Sequence, residues 1–119
     1  MFRVIYFVSN TEKAARFYQK AFRAKRLEPP VAQDYAPEDW IQVRTAGSEI
    51  GFHRLGFLKA KRRQPACAFK LVFKVRDVAQ KRRALKRMGV PMTSIWKLKR
   101  GSICDGWDPE GHRFQIADR

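Results

Sequence analysis

Two cysteines in 119 residues, Cys67 and Cys104, give no basis for a disulfide framework, and without a C-x-x-C spacing they give none for a zinc site. Both are expected as reduced thiols in a cytoplasmic protein. Long apolar runs are missing too. The N-terminal "MFRVIYFVSNTEK" is broken by Ser9 and Asn10, too short for a signal peptide or a membrane span, so a soluble chain with no membrane partner is expected. Acidic residues are the third scarcity: 11 Asp and Glu against 26 Lys and Arg leave a net charge of +15 and a pI near 10.6.

Such a charge favours anionic partners and invites nonspecific nucleic-acid binding. The cations are nevertheless dispersed, in "KAKRR" (59–63), "KRRALKR" (81–87) and "KLKR" (97–100). These read as one loop, one helix face and one strand edge. A solvated basic surface with edge-strand lysines that block aggregation explains them equally well. The strands carry no paired aromatic motif for reading bases.

What is present is a repeat. Arg3-Val4-Ile5-Tyr6-Phe7-Val8-Ser9-Asn10 superposes on Lys70-Leu71-Val72-Phe73-Lys74-Val75-Arg76-Asp77, each a strand running into a helix start. Asn10 and Asp77 are suitable N-caps, Asp77 with Gln80 in capping-box spacing, and Ser9 with Glu12 offers an alternative for the first helix. The spacing predicts helices over "TEKAARFYQKAF" and "VAQKRRALKRM", the second closed by Gly89. A second match, at an offset of 64, lays "WIQVRTAGSEIGFHR" on "CDGWDPEGHRFQIAD" and pairs Gly47 with Gly111 and Gly51 with Gln115. Each half reads as strand, turn, strand; Asp108-Pro109-Glu110-Gly111 has turn chemistry in order. Weaker strands follow the helices near "AKRLEP" and "TSIWKLK".

The chain thus reads as a single α+β domain with two βαβββ modules, about 1–54 and 67–119, joined by a basic linker at 55–66. One helix per four strands covers one sheet face and leaves the other as a groove. Val4, Tyr6, Val8, Ile50, Phe52, Leu71, Phe73, Val75, Phe114 and Ile116 are the expected helix-side core. The groove face receives Arg3, Ile5, Phe7, Trp40, Gln42, Arg44, Glu49, Gly51, His53, Lys70, Val72, Lys74, Cys104, Arg113 and Gln115.

With its "VIYFVSNTEKAARFYQKAF", "KLVFKVRDVAQKRRALKRMGV" and "WDPEGHRFQI", in this order and duplicated, the chain resembles the vicinal oxygen chelate superfamily over nearly its whole length. That superfamily includes glyoxalase I, extradiol dioxygenases and bleomycin-resistance proteins. Arg23 departs from it, standing where the first helix usually ends in Gly. The resemblance implies a curved mixed sheet with the helices on its convex face, and a homodimer. In metal-using relatives, side chains of the first and last strands of each module bind a divalent ion. Those four places here hold Arg3, Gly51, Lys70 and Gln115, which lack the anionic or imidazole donors of a metal site.

No metal and no cofactor are therefore expected. A shift of the site onto His53 and Glu49 is the alternative, and nothing in the sequence sets a base beside Cys104 for nucleophilic catalysis. The catalytic residues are unknown, and three classes stay open. The first is a metal-free small-molecule-binding protein whose groove prefers aromatic anions, gripped by Arg3, Arg44, Lys70, Lys74 and Arg113 beside Trp40, Phe7 and Ile5. The others are a metal-dependent lyase or dioxygenase with shifted ligands and a basic nucleic-acid-associated module.

Overall fold

Alternation of buried Tyr6 and Val8 with exposed Arg3, Ile5 and Phe7 gives β1 (Arg3–Val8) two unlike faces. In a computed structural model describing residues 3–27, 35–36 and 38–119, the chain divides into two compact units, Met1–Ala60 and Lys61–Arg119.

In the first unit β1 leads into α1 (Thr11–Phe22), followed by β2 (Lys25–Arg26), β3 (Trp40–Thr45) and β4 (Ser48–Arg54). The four strands form one mixed sheet, order β1-β4-β3-β2, with β1 parallel to β4 and the other pairs antiparallel. Asn10 starts α1: its side chain accepts the Lys13 N–H at 3.0 Å, so the cap is Asn10 rather than Ser9. The helix ends on Arg23 in the left-handed region, φ 55° and ψ 31°. Ala14, Tyr18 and Ala21 bury one stripe of α1 against the sheet, and the Tyr18 ring stacks on Phe52 at 5.6 Å.

The second unit repeats the plan with β5 (Leu71–Lys74), α2 (Val78–Arg87), β6 (Trp96–Lys97), β7 (Ser102–Trp107) and β8 (Arg113–Ala117). Its sheet order is β5-β8-β7-β6, with β5 parallel to β8. Asp77 caps α2 by accepting the Gln80 N–H at 3.0 Å. Gly89 closes it at φ 84°, donating its N–H to the Lys86 carbonyl. In the β7–β8 turn Asp108 Oδ1 accepts the N–H groups of Glu110 and His112, both at 2.9 Å. Gly111, at φ 89°, bonds back to the Asp108 carbonyl. Its flank lies against the backbone of Gln64, so a side chain there would collide.

Each unit is thus a βαβββ module with its helix on one sheet face, as expected. Tyr6, Val8, Ile50, Phe52, Phe114 and Ile116 are buried on the helix side, while Val4, Leu71, Phe73 and Val75 are half-buried there. Cys104 is a correction. It pairs with Ile116 and is fully buried on the helix side, not on the opposite face. The cause is a one-residue difference in register. Gly51 and Gln115 correspond across the units, and their strand partners are Gln42 and Asp105, so β3 and β7 are offset by 63 rather than 64. A one-residue slip exchanges the two faces of a strand, so Ile103 takes the place expected for Cys104, and Asp105 the place that the offset of 64 gives to Gly106. No helix among the described residues is long and apolar enough to cross a membrane.

Candidate functional site

On the first unit's helix-free face, Arg3, Gln42 and Arg44 converge on one carboxylate. Glu49 is 7% exposed, and its oxygens accept from Arg3 Nε and Nη2 at 3.2 and 3.1 Å, Gln42 Nε2 at 2.6 Å and Arg44 Nη2 at 2.8 Å. The Arg44 hydrogen bond, with those of Arg3 and both guanidinium charges, outweighs burial and holds the Glu49 carboxyl below its ordinary range. Two cations on one anion leave the cluster with one surplus positive charge.

Farther along the same face, Phe7, Tyr35, Trp40 and His53 form an aromatic group. Tyr35 stacks on Trp40 at 6.1 Å, and His53 lies 5.9 Å from Phe7, 5.2 Å from Tyr35 and 6.0 Å from Trp40, centroid to centroid. Phe7 is half exposed whereas Trp40 is buried, so Phe7 and Tyr35 present the open rings. The tip of the Trp40 indole covers Gly51: a Cβ there would sit 2.8 Å from Trp40 Cζ2. Among the described residues, two polar atoms of this face are buried with no hydrogen-bond partner, Trp40 Nε1 and Gln42 Oε1.

In the second unit the corresponding face has its own buried carboxylate. Asp105 is wholly buried and accepts from Lys70 Nζ at 2.9 Å, Arg113 Nε at 2.7 Å and Gln115 Nε2 at 2.9 Å. Burial pushes this carboxyl up, but the hydrogen bonds from Gln115, Lys70 and Arg113 and the Lys70 charge together outweigh it and hold it below the usual range. The Arg113 guanidinium also lies over the Trp107 ring, 5.2 Å from its centroid, with Arg63 at 4.1 Å from the same centroid. Again two cations meet one anion.

Of the residues expected from sequence, Arg3, Ile5, Phe7, Trp40, Arg44, Gly51 and His53 share the helix-free face of the first unit, and Lys70, Arg113 and Gln115 gather on Asp105 in the second. Lys74 lies at the exposed end of β5, outside that gathering. Asp105 was missed because a single repeat offset was applied to both strands of the hairpin.

The metal places fit no ion. Gly51 lies beneath an indole, Arg3 and Lys70 are cations already spent on Glu49 and Asp105, and Gln115, its amide N–H given to Asp105, offers one neutral oxygen where an ion needs several ligands. A shift onto His53 and Glu49 gains no support either, because both Glu49 oxygens are held by Arg3, Gln42 and Arg44. Among the described residues no three His, Cys, Asp or Glu gather closely enough to hold a metal. A depression of about 450 Å³ at the start of α1, lined by Ser9, Asn10, Thr11, Glu12, Glu38 and Arg54, contains none of these side chains.

Neither a protein-family model nor a characterised protein sequence matches the chain. Solved structures do, at low identity. An integron cassette protein from the mobile metagenome of the Halifax Harbour sewage outfall aligns over 100% of this chain and 97% of its own, with 17% identity and a TM-score of 0.73. A lactoylglutathione lyase from Agrobacterium tumefaciens aligns over 98% and 91%, with 11% identity and a TM-score of 0.70. A mutant of the fosfomycin resistance protein FosX from Listeria monocytogenes, complexed with Mn(II) and dihydroxypropylphosphonic acid, aligns over 98% and 86%, with 17% identity and a TM-score of 0.75. Built from two βαβββ modules and superposing on a lyase and a resistance protein of that architecture, the chain has the fold of the vicinal oxygen chelate superfamily.

Proposed function

We propose that the protein is a cytoplasmic, homodimeric, metal-free binder of small aromatic anions, with a seat on the helix-free face of its first unit. One observation carries this reading. The Trp40 indole N–H and the Gln42 side-chain oxygen are buried without partners, on the face where Arg3 and Arg44 outnumber Glu49. Buried polar groups are rarely left unpaired, and an orphaned donor calls for an acceptor. A carboxylate or phosphonate that displaced the cover of Trp40 would supply that acceptor and neutralise the surplus cation, its ring would lie against Phe7, and a donor on the same ligand would meet the Gln42 oxygen. The Listeria relative was crystallised with a metal ion and a phosphonate; here side-chain cations take over the neutralising of an anion. Among the described residues eight large apolar side chains, Phe7 and Phe57 among them, stand exposed in the single chain, which suits a second copy as partner. The two free thiols, Cys67 and Cys104, suit a reducing cytoplasm.

A thermal-shift comparison of matched aromatic carboxylates, amines and amides tests the ligand class. Carboxylates should raise the melting temperature of the parent, and the rise should shrink in Arg3→Ala and in Arg44→Ala. Stabilisation by amines alone, or full response of both variants to carboxylates, would refute the anionic preference. In the same assay Mn(II), Zn(II), Ni(II) and Fe(II) should leave the melting temperature unchanged. An ion that binds the folded chain adds about 2.7 kcal/mol of stability at a hundredfold excess over its Kd, and such a shift would revive the metal-dependent enzyme.

A further inference from the structure

The positive charge is divided unequally. The second unit carries 16 Lys and Arg against 5 Asp and Glu, whereas the first carries 10 against 6. All five acids of the second unit are committed to its interior or its backbone. Asp77 caps α2, Asp105 holds Lys70 and Arg113, Asp108 takes two turn N–H groups, Glu110 is buried, and Asp118 takes the Ser102 N–H. The ion pairs of Lys70 and Arg113 both end on Asp105.

The outer face of α2 is where the imbalance collects. The helix contains Lys81, Arg82, Arg83, Lys86 and Arg87 and no acid or aromatic residue. Its apolar stripe, Val78 and Leu85, is buried, and Arg82 is turned to the Thr93 carbonyl at 2.8 Å. At 3.6 residues per turn Arg83 and Arg87 point away from that stripe and Lys86 flanks it, and all three are exposed. Lys97 lies on the same side of the sheet, being registered to Ser102, and the exposed Lys99 and Arg100 follow it in the turn to β7.

We propose that this face docks on the sugar–phosphate backbone of double-stranded nucleic acid, with Arg83, Lys86 and Arg87 making phosphate contacts. This surface is separate from the small-molecule seat and does not rest on that reading. A ten-residue helix is about 15 Å long, and at one phosphate charge per about 1.7 Å that length of duplex presents about nine anions, enough to pair all three cations. A membrane surface is disfavoured, because a helix lying on lipid needs its apolar stripe free to insert. Single strands are disfavoured because α2 offers no ring for stacking, and Trp96, registered to Ile103, lies on the far side of the sheet.

Fluorescence anisotropy of a labelled mixed-sequence duplex of about 20 base pairs, titrated with the intact chain between about 50 and 200 mM salt, tests this. Log affinity should fall linearly with log salt. In the triple variant Arg83→Gln, Lys86→Gln, Arg87→Gln the slope should shrink by about 0.9 per phosphate contact removed, about 2.7 if all three engage. Lys13→Gln, Lys20→Gln, Lys25→Gln removes equal charge from the first unit and should keep the parental slope. An equal loss in both variants would mean that net charge alone is felt, and would overturn the proposal. So would tighter binding to the single strand, binding to phosphatidylserine vesicles without binding to duplex, or no duplex binding at the lowest salt.

Discussion

Glu49 and Asp105 play the same part in their two units from positions that do not correspond. Each is buried under two cations and one glutamine amide, yet Glu49 lies on β4 and Asp105 on β7. The anion has changed strands while the balance of charge around it has been kept. Asp105→Asn removes the charge that Lys70 and Arg113 share and should cost on the order of 2 kcal/mol at neutral pH, the scale of hydrogen bonds to a charged group. The pH dependence has a definite sign. A carboxyl whose folded pKa is depressed contributes fully above its unfolded value, about 4, and the contribution is lost as pH falls through the lower folded value. Urea melts from neutral to acidic pH should show the parent losing stability faster than Asp105→Asn below about pH 4, so that the two converge. Parallel curves would remove Asp105 from the acid limb. Gly51→Ala would set a methyl group into the Trp40 indole and should cost about 1–3 kcal/mol by overpacking, with a change in tryptophan emission as the ring moves. Unchanged emission and stability would mean that Trp40 does not rest on that glycine.

At the scale of elements, both helices were legible because their signals are local. Asn10 and Asp77 cap the helices expected of them, and α1 spans the residues its apolar stripe predicts, Thr11–Phe22. Strand register was less legible because loop length shifts it. The β3–β4 connection is Ala46-Gly47, whereas 108–112 join β7 to β8, and one offset could not serve both strands of the hairpin. That difference hid Asp105 and misassigned Cys104. The helix-free face of the first unit was read correctly, since Arg3, Ile5 and Phe7 alternate with an apolar core that fixes their side. The orphaned Trp40 N–H was invisible in sequence, because satisfaction of a buried donor depends on tertiary neighbours. Arg23, flagged in sequence as a departure from Gly, does occupy a left-handed conformation, and it alone among the described non-glycine residues has positive φ. That conformation costs an L-residue about 1–2 kcal/mol, and part of the relief on mutation to Gly is returned to the more flexible unfolded chain. Arg23→Gly should therefore stabilise by about 0.5–1 kcal/mol, seen as a higher urea midpoint at unchanged slope. A lower midpoint would show that the Arg23 side chain contributes more than its backbone costs.

For the whole molecule, fold and chemistry separate. Alignment over nearly the full chain at 11–17% identity preserves the modules, while the four places to which the sequence resemblance assigns metal ligands hold two cations, a glycine and an amide. The homodimer is a further question of balance between apolar surface and charge. Ile5, Phe57, Phe69, Val72 and Trp96 are all 45% exposed or more, and covering them favours association through the hydrophobic effect. Bringing together two chains of +15 opposes it. Salt screens the second term, with a Debye length of about 10 Å at 0.1 M and about 3 Å at 1 M, and leaves the first intact. Light scattering behind a sizing column should therefore give twice the 13.9 kDa chain mass at moderate salt. The dimer fraction at a fixed low concentration should rise, not fall, as salt increases. A dimer that dissociates with added salt would be held by ion pairs and would contradict the apolar account. A single-chain mass at every salt concentration would leave the exposed apolar side chains without a second copy to cover them.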